Sequence, residues 1–262
     1  MTGVTLASYI HDPDGALYKA IAENIPLLMK MYDGIVVIVT KMTDEAIIDE
    51  LEKNGCDVEF QRNGVGQEFI GDARRMAISE ALKKGTGLIH FADIDRILYW
   101  VQFYPEELRG VIQDIPNHYF LIIGRTNGAM ETHPRSQVET EGLADEVCSL
   151  ILGLDVDITA ASRGMSSEAA RLILKYSKAK YCNTDSEWPI IVHCKSDGLM
   201  GYVEVDGLGF EDWLKDTKGV KSAGGLEGWK RLRDESPRSW LHRIRTAHGI
   251  AETALTTYNE LR

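Results

Sequence analysis

Leu88–Trp100 reads LIHFADIDRILYW: an apolar run that presents two carboxylates, Asp93 and Asp95, one residue apart as it ends. LIHFA has the composition of a buried strand. A carboxylate at the end of such a strand costs free energy unless it meets a cation, a donor network or water. Carboxylates at i and i+2 share a face in a continuing strand and can turn toward one ion in a loop. D-x-D can therefore bind a hard divalent cation through oxygen, with a substrate phosphate completing the shell. Asp93 and Asp95 are the candidate metal ligands on that ground; a solvated strand end is the plain alternative.

The segments before this stretch alternate in kind. Residues 14–31 carry Leu17, Ile21, Ile25 and Leu28 at helical spacing, and GIVVIVT (34–40) reads as a strand buried on both faces. MTDEAIIDELEKNG (42–55) reads as a helix with Thr43 as cap and Gly55 as stop, and DVEF (57–60) as a strand. GDARRMAISEALKKG (71–85) is a helix with Ala73, Met76, Ala77 and Ala81 on one face. YFLIIG (119–124) is a fourth strand after LIHFA. Strands separated by helices call for parallel pairing with right-handed crossovers, and ligands collect beyond the carboxyl ends of such strands. Asp93 and Asp95 stand at that position.

The second half is less regular. SQVETEGLADEVCSLILG (136–153) and SSEAARLILKYSK (166–178) read as helices, whereas IIVHC (190–194) and YVEVDG (202–207) read as strands with antiparallel pairing at one edge. The tail from Ser236 is a long helix with Pro237 in its first turn. TKGVKSAGGLEGWK (217–230) reads as a mobile surface loop or a lid over a bound ligand.

The 262 residues suffice for a large core at 44% apolar content, and 40 acidic against 29 basic residues disfavour general nucleic-acid binding. No apolar run is long enough to cross a bilayer and no signal peptide is recognisable, so a soluble cytoplasmic protein is expected. Cys56, Cys148, Cys182 and Cys194 form no CxxC pair and read as free thiols.

The segment VGQEFIGDARRMAISEALKKGTGLIHFADIDRILYW (65–100) resembles the nucleotide-binding half of GT-A glycosyltransferases, especially family 2, with Gly71, Ala73 and Arg74 matching their G-x-A-R helix and Asp93–Asp95 their D-x-D. TLASYIHDP (5–13) is similar to the first strand of that fold, which places Ala7, Ser8 and Tyr9 at the nucleobase; IVVIVTKMTDEAIIDEL is similar to the second strand and helix, with Thr40 at its nucleotide-facing end. ASRGMSSEAARLILKY and NTDSEWPIIV resemble the acceptor-side segment, which makes Asp185 the catalytic base, with Glu187 the neighbouring choice. The resemblance covers residues 4–195. It implies one α/β domain over 1–262: a nucleotide-sugar half over 1–124 and an acceptor half over 125–262. The sheet would be mostly parallel, with a smaller antiparallel acceptor-side part and a long C-terminal helix.

The activity implied is transfer of a sugar from a nucleoside-diphosphate donor to an acceptor hydroxyl, with inversion if Asp185 is the base and retention as the alternative. Mn2+ or Mg2+ would neutralise the leaving diphosphate, and Arg74 would act as a further electrostatic clamp. The acceptor is a small molecule, a glycan or a lipid-linked group, and a homodimer is among the open assemblies. Arg163, before a helix, is a candidate phosphate or acceptor contact against a structural ion pair. His193 is a candidate third metal ligand against a packed histidine, and Glu204 and Asp206 are candidates for an acceptor pocket. Two rival readings stand beside this one. A metal-dependent phosphohydrolase of the haloacid dehalogenase type would use Asp93 as nucleophile, and a non-catalytic relative would only bind nucleotide or sugar.

Overall fold

The alternation of apolar runs and amphipathic helices builds a βαβ series in the computed structural model, which describes residues 3–262. Strand β1 (Val4–Ile10) is followed by α1 (Tyr18–Leu28), β2 (Gly34–Val39), α2 (Glu45–Lys53), β3 (Asp57–Phe60), α3 (Ile70–Lys83) and β4 (Leu88–Ala92). Next come α4 (Ile94–Phe103), α5 (Pro105–Asp114), β5 (Phe120–Arg125), α6 (Asn127–Glu131), α7 (Arg135–Leu152), β6 (Ser162–Ser166) and α8 (Ser167–Tyr176). They lead to α9 (Thr184–Lys195), β7 (Met200–Val205), α10 (Thr217–Ser222), α11 (Leu226–Asp234) and α12 (Pro237–Leu261).

The seven strands form one sheet in the order β3-β2-β1-β4-β6-β5-β7. Only β6 runs against its neighbours β4 and β5; the other pairings are parallel. The sheet takes strands from both halves of the chain. Its β-branched strands are covered on both faces, which is why β2 reads as unbroken apolar sequence. One face packs Ile21 and Ile25 of α1, Leu51 of α2, Ile97 of α4 and Leu108 of α5. The other packs Ala73 and Ala77 of α3, Cys148 of α7, Trp188 of α9 and Ile250 of α12.

Four expectations are corrected. IIVHC lies in α9, a helix: its faces are buried nearly all round, so the apolar periodicity of a helix is missing from the sequence. YVEVDG does give β7, but parallel to β5, and the antiparallel strand is the small-residue run SRGMS of β6. Asp44 caps α2 by accepting from the Ala46 amide, while Thr43 bonds Thr40 instead. The glycine- and lysine-containing stretch 217–230 folds into α10 and most of α11. The four cysteines are free thiols, and no described helix is long and apolar enough to cross a membrane.

Candidate active site

A cleft of about 390 Å³ opens beyond the carboxyl ends of β1 and β4. Tyr9, Ile10 and His11 line it from the end of β1, Asp93 and Asp95 from the start of α4, and Arg74 from α3. Asp185 enters from the first turn of α9, Glu211, Asp212 and Lys215 from the segment after β7, and His242, Arg243 and Thr246 from α12. A carboxylate at a helix start is favoured by the unpaired amides and positive dipole end there, which fits Asp93, at the N-cap of α4, and Asp95, in its first turn.

Arg74 organises the inner wall. Its Nη2 and Nε donate to Asp93 at 2.6 and 3.2 Å, and its Nη1 donates to Asp185 Oδ1 at 2.6 Å and to Thr184 Oγ1 at 2.9 Å. The guanidinium also stacks over Phe91, 5.6 Å from the ring centroid. Burial works against the Arg74 charge, but Asp185 and Asp93 outweigh it and hold the group firmly protonated. Burial raises the Asp185 carboxyl above the ordinary range, with Arg74 and Arg163 opposing. No described group donates to Asp185 Oδ2. Tyr9 is pushed up to about 12, by burial first and then by the charge of Asp93.

The outer wall is acidic. Ligand oxygens of Asp95, Glu211 and Asp212 lie within 4.8 Å of one another. Glu211 is buried, and its Oε2 has no hydrogen-bond partner among the described residues. Burial raises its carboxyl to about 7, although Arg96 pairs with it at 3.5 Å. Burial acts on Asp95 in the same sense, but it is overcome by an ion pair with Lys215 and by Arg96, so the carboxyl stays below its usual range. Oxygen-only donors with one unpartnered buried oxygen suit Mg2+ or Mn2+.

The residues singled out from sequence divide into three groups. Tyr9, Arg74, Asp93, Asp95 and Asp185 come together in the cleft. A second group supports it from behind. Ser8 Oγ donates to the Ala92 carbonyl at 2.7 Å, beside the buried Ala7, and Thr40 bonds Nδ1 of the cleft residue His11 at 2.8 Å. Gly71 lets α3 approach residue 179 so closely that a Cβ would lie 2.1 Å from the Ala179 carbonyl oxygen. Arg163 is buried and donates to the carbonyls of Ile158, Ser162 and Asp185. The Asp185 carbonyl would bond the amide four residues on, which Pro189 lacks, so Arg163 satisfies what the proline leaves open.

The third group stands apart. His193 is exposed near the end of α9 and does not line the cleft, because the helix that replaces the expected strand turns it outward. Glu187 accepts from Ser177 Oγ and from the Lys178 and Ala179 amides, at 2.6 and 2.9 Å for the amides, and so fastens the α8–α9 connection. Glu204 and Asp206 also lie outside the cleft, and Thr126 donates to Asp206. Asp93 is outside the three-carboxylate cluster, so the D-x-D divides: Asp93 faces Arg74 and Asp95 faces the acids. Glu211, Asp212, Lys215, Arg96 and Arg243 were missed. For Glu211, Asp212 and Lys215 the signal is position, since GFEDWLKD follows the carboxyl end of a strand in a mostly parallel sheet; Arg96 and Arg243 sit within helices and carry no such mark.

No protein-family model and no curated protein matches the chain. Solved structures do. Glucosyl-3-phosphoglycerate synthase of Mycobacterium tuberculosis superposes with a TM-score of 0.51 at 14% identity, over 94% of this chain and 81% of that one. The same enzyme with Mn2+, uridine diphosphate and phosphoglyceric acid gives 0.52 at 13% identity, over 86% and 78%. A further mycobacterial protein gives 0.52 at 12%, over 88% and 74%. The fold is GT-A. In this GT-A chain the cleft lies beyond the carboxyl ends of β1 and β4, with α12 closing one side.

Proposed function

We propose that this protein transfers a sugar from a nucleoside-diphosphate donor to an acceptor hydroxyl. The observation that carries the reading is the pairing of two features in one GT-A cleft: three clustered carboxylates and the Arg74–Asp185 pair beside them. Asp95, Glu211 and Asp212 would hold a divalent ion, which when bound supplies positive charge for the departing diphosphate. Tyr9 and His11 wall the donor side, and Arg74 adds a fixed cation. Asp185 takes the proton of the acceptor hydroxyl as its oxygen bonds the anomeric carbon, while the bond from that carbon to the diphosphate breaks and its electron pair leaves with the diphosphate. Attack by the hydroxyl oxygen on the face opposite the departing diphosphate would invert the anomeric centre. The raised Asp185 carboxyl suits a base better than an ordinary aspartate does.

The acceptor end carries Arg96, whose buried Nη1 lacks a partner among the described residues, and Arg243, held by long pairs of 3.5 and 3.6 Å to Glu141 and Asp212. Both favour an acceptor with an anionic group. A neighbour solved with phosphoglyceric acid makes 3-phosphoglycerate the acceptor to try first. A phosphohydrolase using Asp93 has less support, because Arg74 grips both oxygens of that carboxylate.

The test is calorimetry. Uridine, guanosine, cytidine, adenosine and thymidine diphosphates are titrated with Mn2+, then with chelator, into the parent and Asp95→Asn. One nucleotide should bind the parent with metal, and weaken at least tenfold with chelator or in the variant. No binding of any nucleotide with metal present contradicts the reading.

A further inference from the structure

The cation that Asp95 meets in this structure belongs to the chain itself. Lys215 Nζ pairs with Asp95 Oδ2, and Lys215 stands four residues beyond Glu211 on the same short segment. The carboxylate is nearly sealed, with 8% of its side chain exposed, whereas the lysine side chain is 44% exposed and its stem reaches in from solvent. Asp95, Glu211 and Asp212 thus meet three cations, Lys215 on Asp95, Arg96 on Glu211 and, at a longer 3.6 Å, Arg243 on Asp212. Glu211 Oε2 is the buried acceptor left unpartnered. A divalent ion on these oxygens would stand a few ångströms from the ammonium, where like charges repel strongly. Arg96 is fixed by burial, and its amide donates to Asp95 Oδ1 at 3.0 Å. Arg243 touches Asp212 and not Asp95, so the lysine is the side-chain cation that must leave Asp95.

We infer that Lys215 is an intramolecular competitor of the divalent ion, which must displace it from Asp95 to load. This rests on reading the three carboxylates as the metal site. The displaced ammonium has a destination. A bound donor brings diphosphate oxygens into the cleft that Lys215 already lines, so the lysine exchanges a carboxylate for a phosphate. Metal and nucleotide then help each other: metal frees the lysine, and nucleotide receives it. The segment after Lys215 is tied down by side chains that need not move, since Asp216 caps α10 and accepts from Trp229 Nε1 at 2.8 Å. A swing of the lysine side chain is enough.

The experiment measures binding of Mn2+ alone, by calorimetry or by loss of its free-ion paramagnetic resonance signal. The parent, Lys215→Met, Lys215→Arg and Asp95→Asn are compared, with thermal unfolding as the check on folding. Lys215→Met should bind Mn2+ at least tenfold more tightly than the parent. Lys215→Arg, which keeps the cation, should bind like the parent. A nucleoside diphosphate should raise Mn2+ affinity by a larger factor in the parent than in Lys215→Met. Equal or weaker Mn2+ binding by Lys215→Met, still abolished in Asp95→Asn, overturns the competition and leaves the metal site standing. No Mn2+ binding by parent or Lys215→Met overturns the metal site and the competition together.

Discussion

Arg74 carries one positive charge to a place where two carboxylates converge, and without it Asp93 and Asp185 would face each other across a buried gap. Removing one partner of a buried ion pair leaves uncompensated charge, at a cost of about 3–5 kcal/mol. Arg74→Ala is expected to lose about that much stability in urea unfolding, and the double variant with Asp185→Asn to recover part of it. Full additivity would show that the two groups do not interact. The place of Asp95 in the cleft was legible from sequence because it stands just beyond the end of an apolar strand. Lys215 and Glu211 were not, because nothing local marks a distant turn as the place that folds back over α4.

That turn is set by close packing at the level of elements. Glu107 of α5 accepts from the amides of Asp206 and Gly207, each at 2.8 Å, and also from Trp100 Nε1. Gly207 lies so near the Trp100 ring that a Cβ would stand 1.8 Å from Cδ1. Gly207→Ala should therefore shift the segment bearing Glu211 and Asp212. The expected outcome is a loss of about 1–3 kcal/mol in thermal unfolding, with weaker Mn2+ binding alongside. Unchanged metal affinity would show that the turn does not position the acids. The βαβ elements from β1 to β4 were readable because their helices carry an amphipathic period and the central strands are short unbroken apolar runs. In the second half, α9 is buried all round from Thr184 to Val192 and β6 is built mainly of small and polar residues, so neither pattern separates helix from strand there.

Across the whole molecule, the sheet is pinned at its centre by a buried histidine. His90 of β4 bonds Tyr32 at 2.6 Å and Ser162 of β6 at 2.9 Å, with its ring edge-on to Trp100. Burial lowers its pKa from 6.5 to about 3. An unfolded histidine takes a proton below about pH 6.5 while the folded one resists, so the unfolded chain binds more protons in that window. Stability is complete above it and falls as pH drops, by about 1.4 kcal/mol per pH unit from this group. Relative to His90→Gln, the parent should lose that increment between pH 6 and 4; parallel curves for the two proteins would contradict it. The order of segments along the chain made the GT-A architecture legible. The cleft's lining depends on how the segment after β7 and helix α12 return to the carboxyl end of β4, which only the folded chain shows.

The most direct measurement is anomalous scattering at the manganese edge from crystals grown with Mn2+ and the nucleoside diphosphate that titration selects. The account predicts one peak bonded to Asp95, Glu211 and Asp212, with the diphosphate beside it and Lys215 withdrawn from Asp95. A peak shared by Asp93 and Asp95, or nucleotide in the cleft with Lys215 still on Asp95 and no peak, would contradict it.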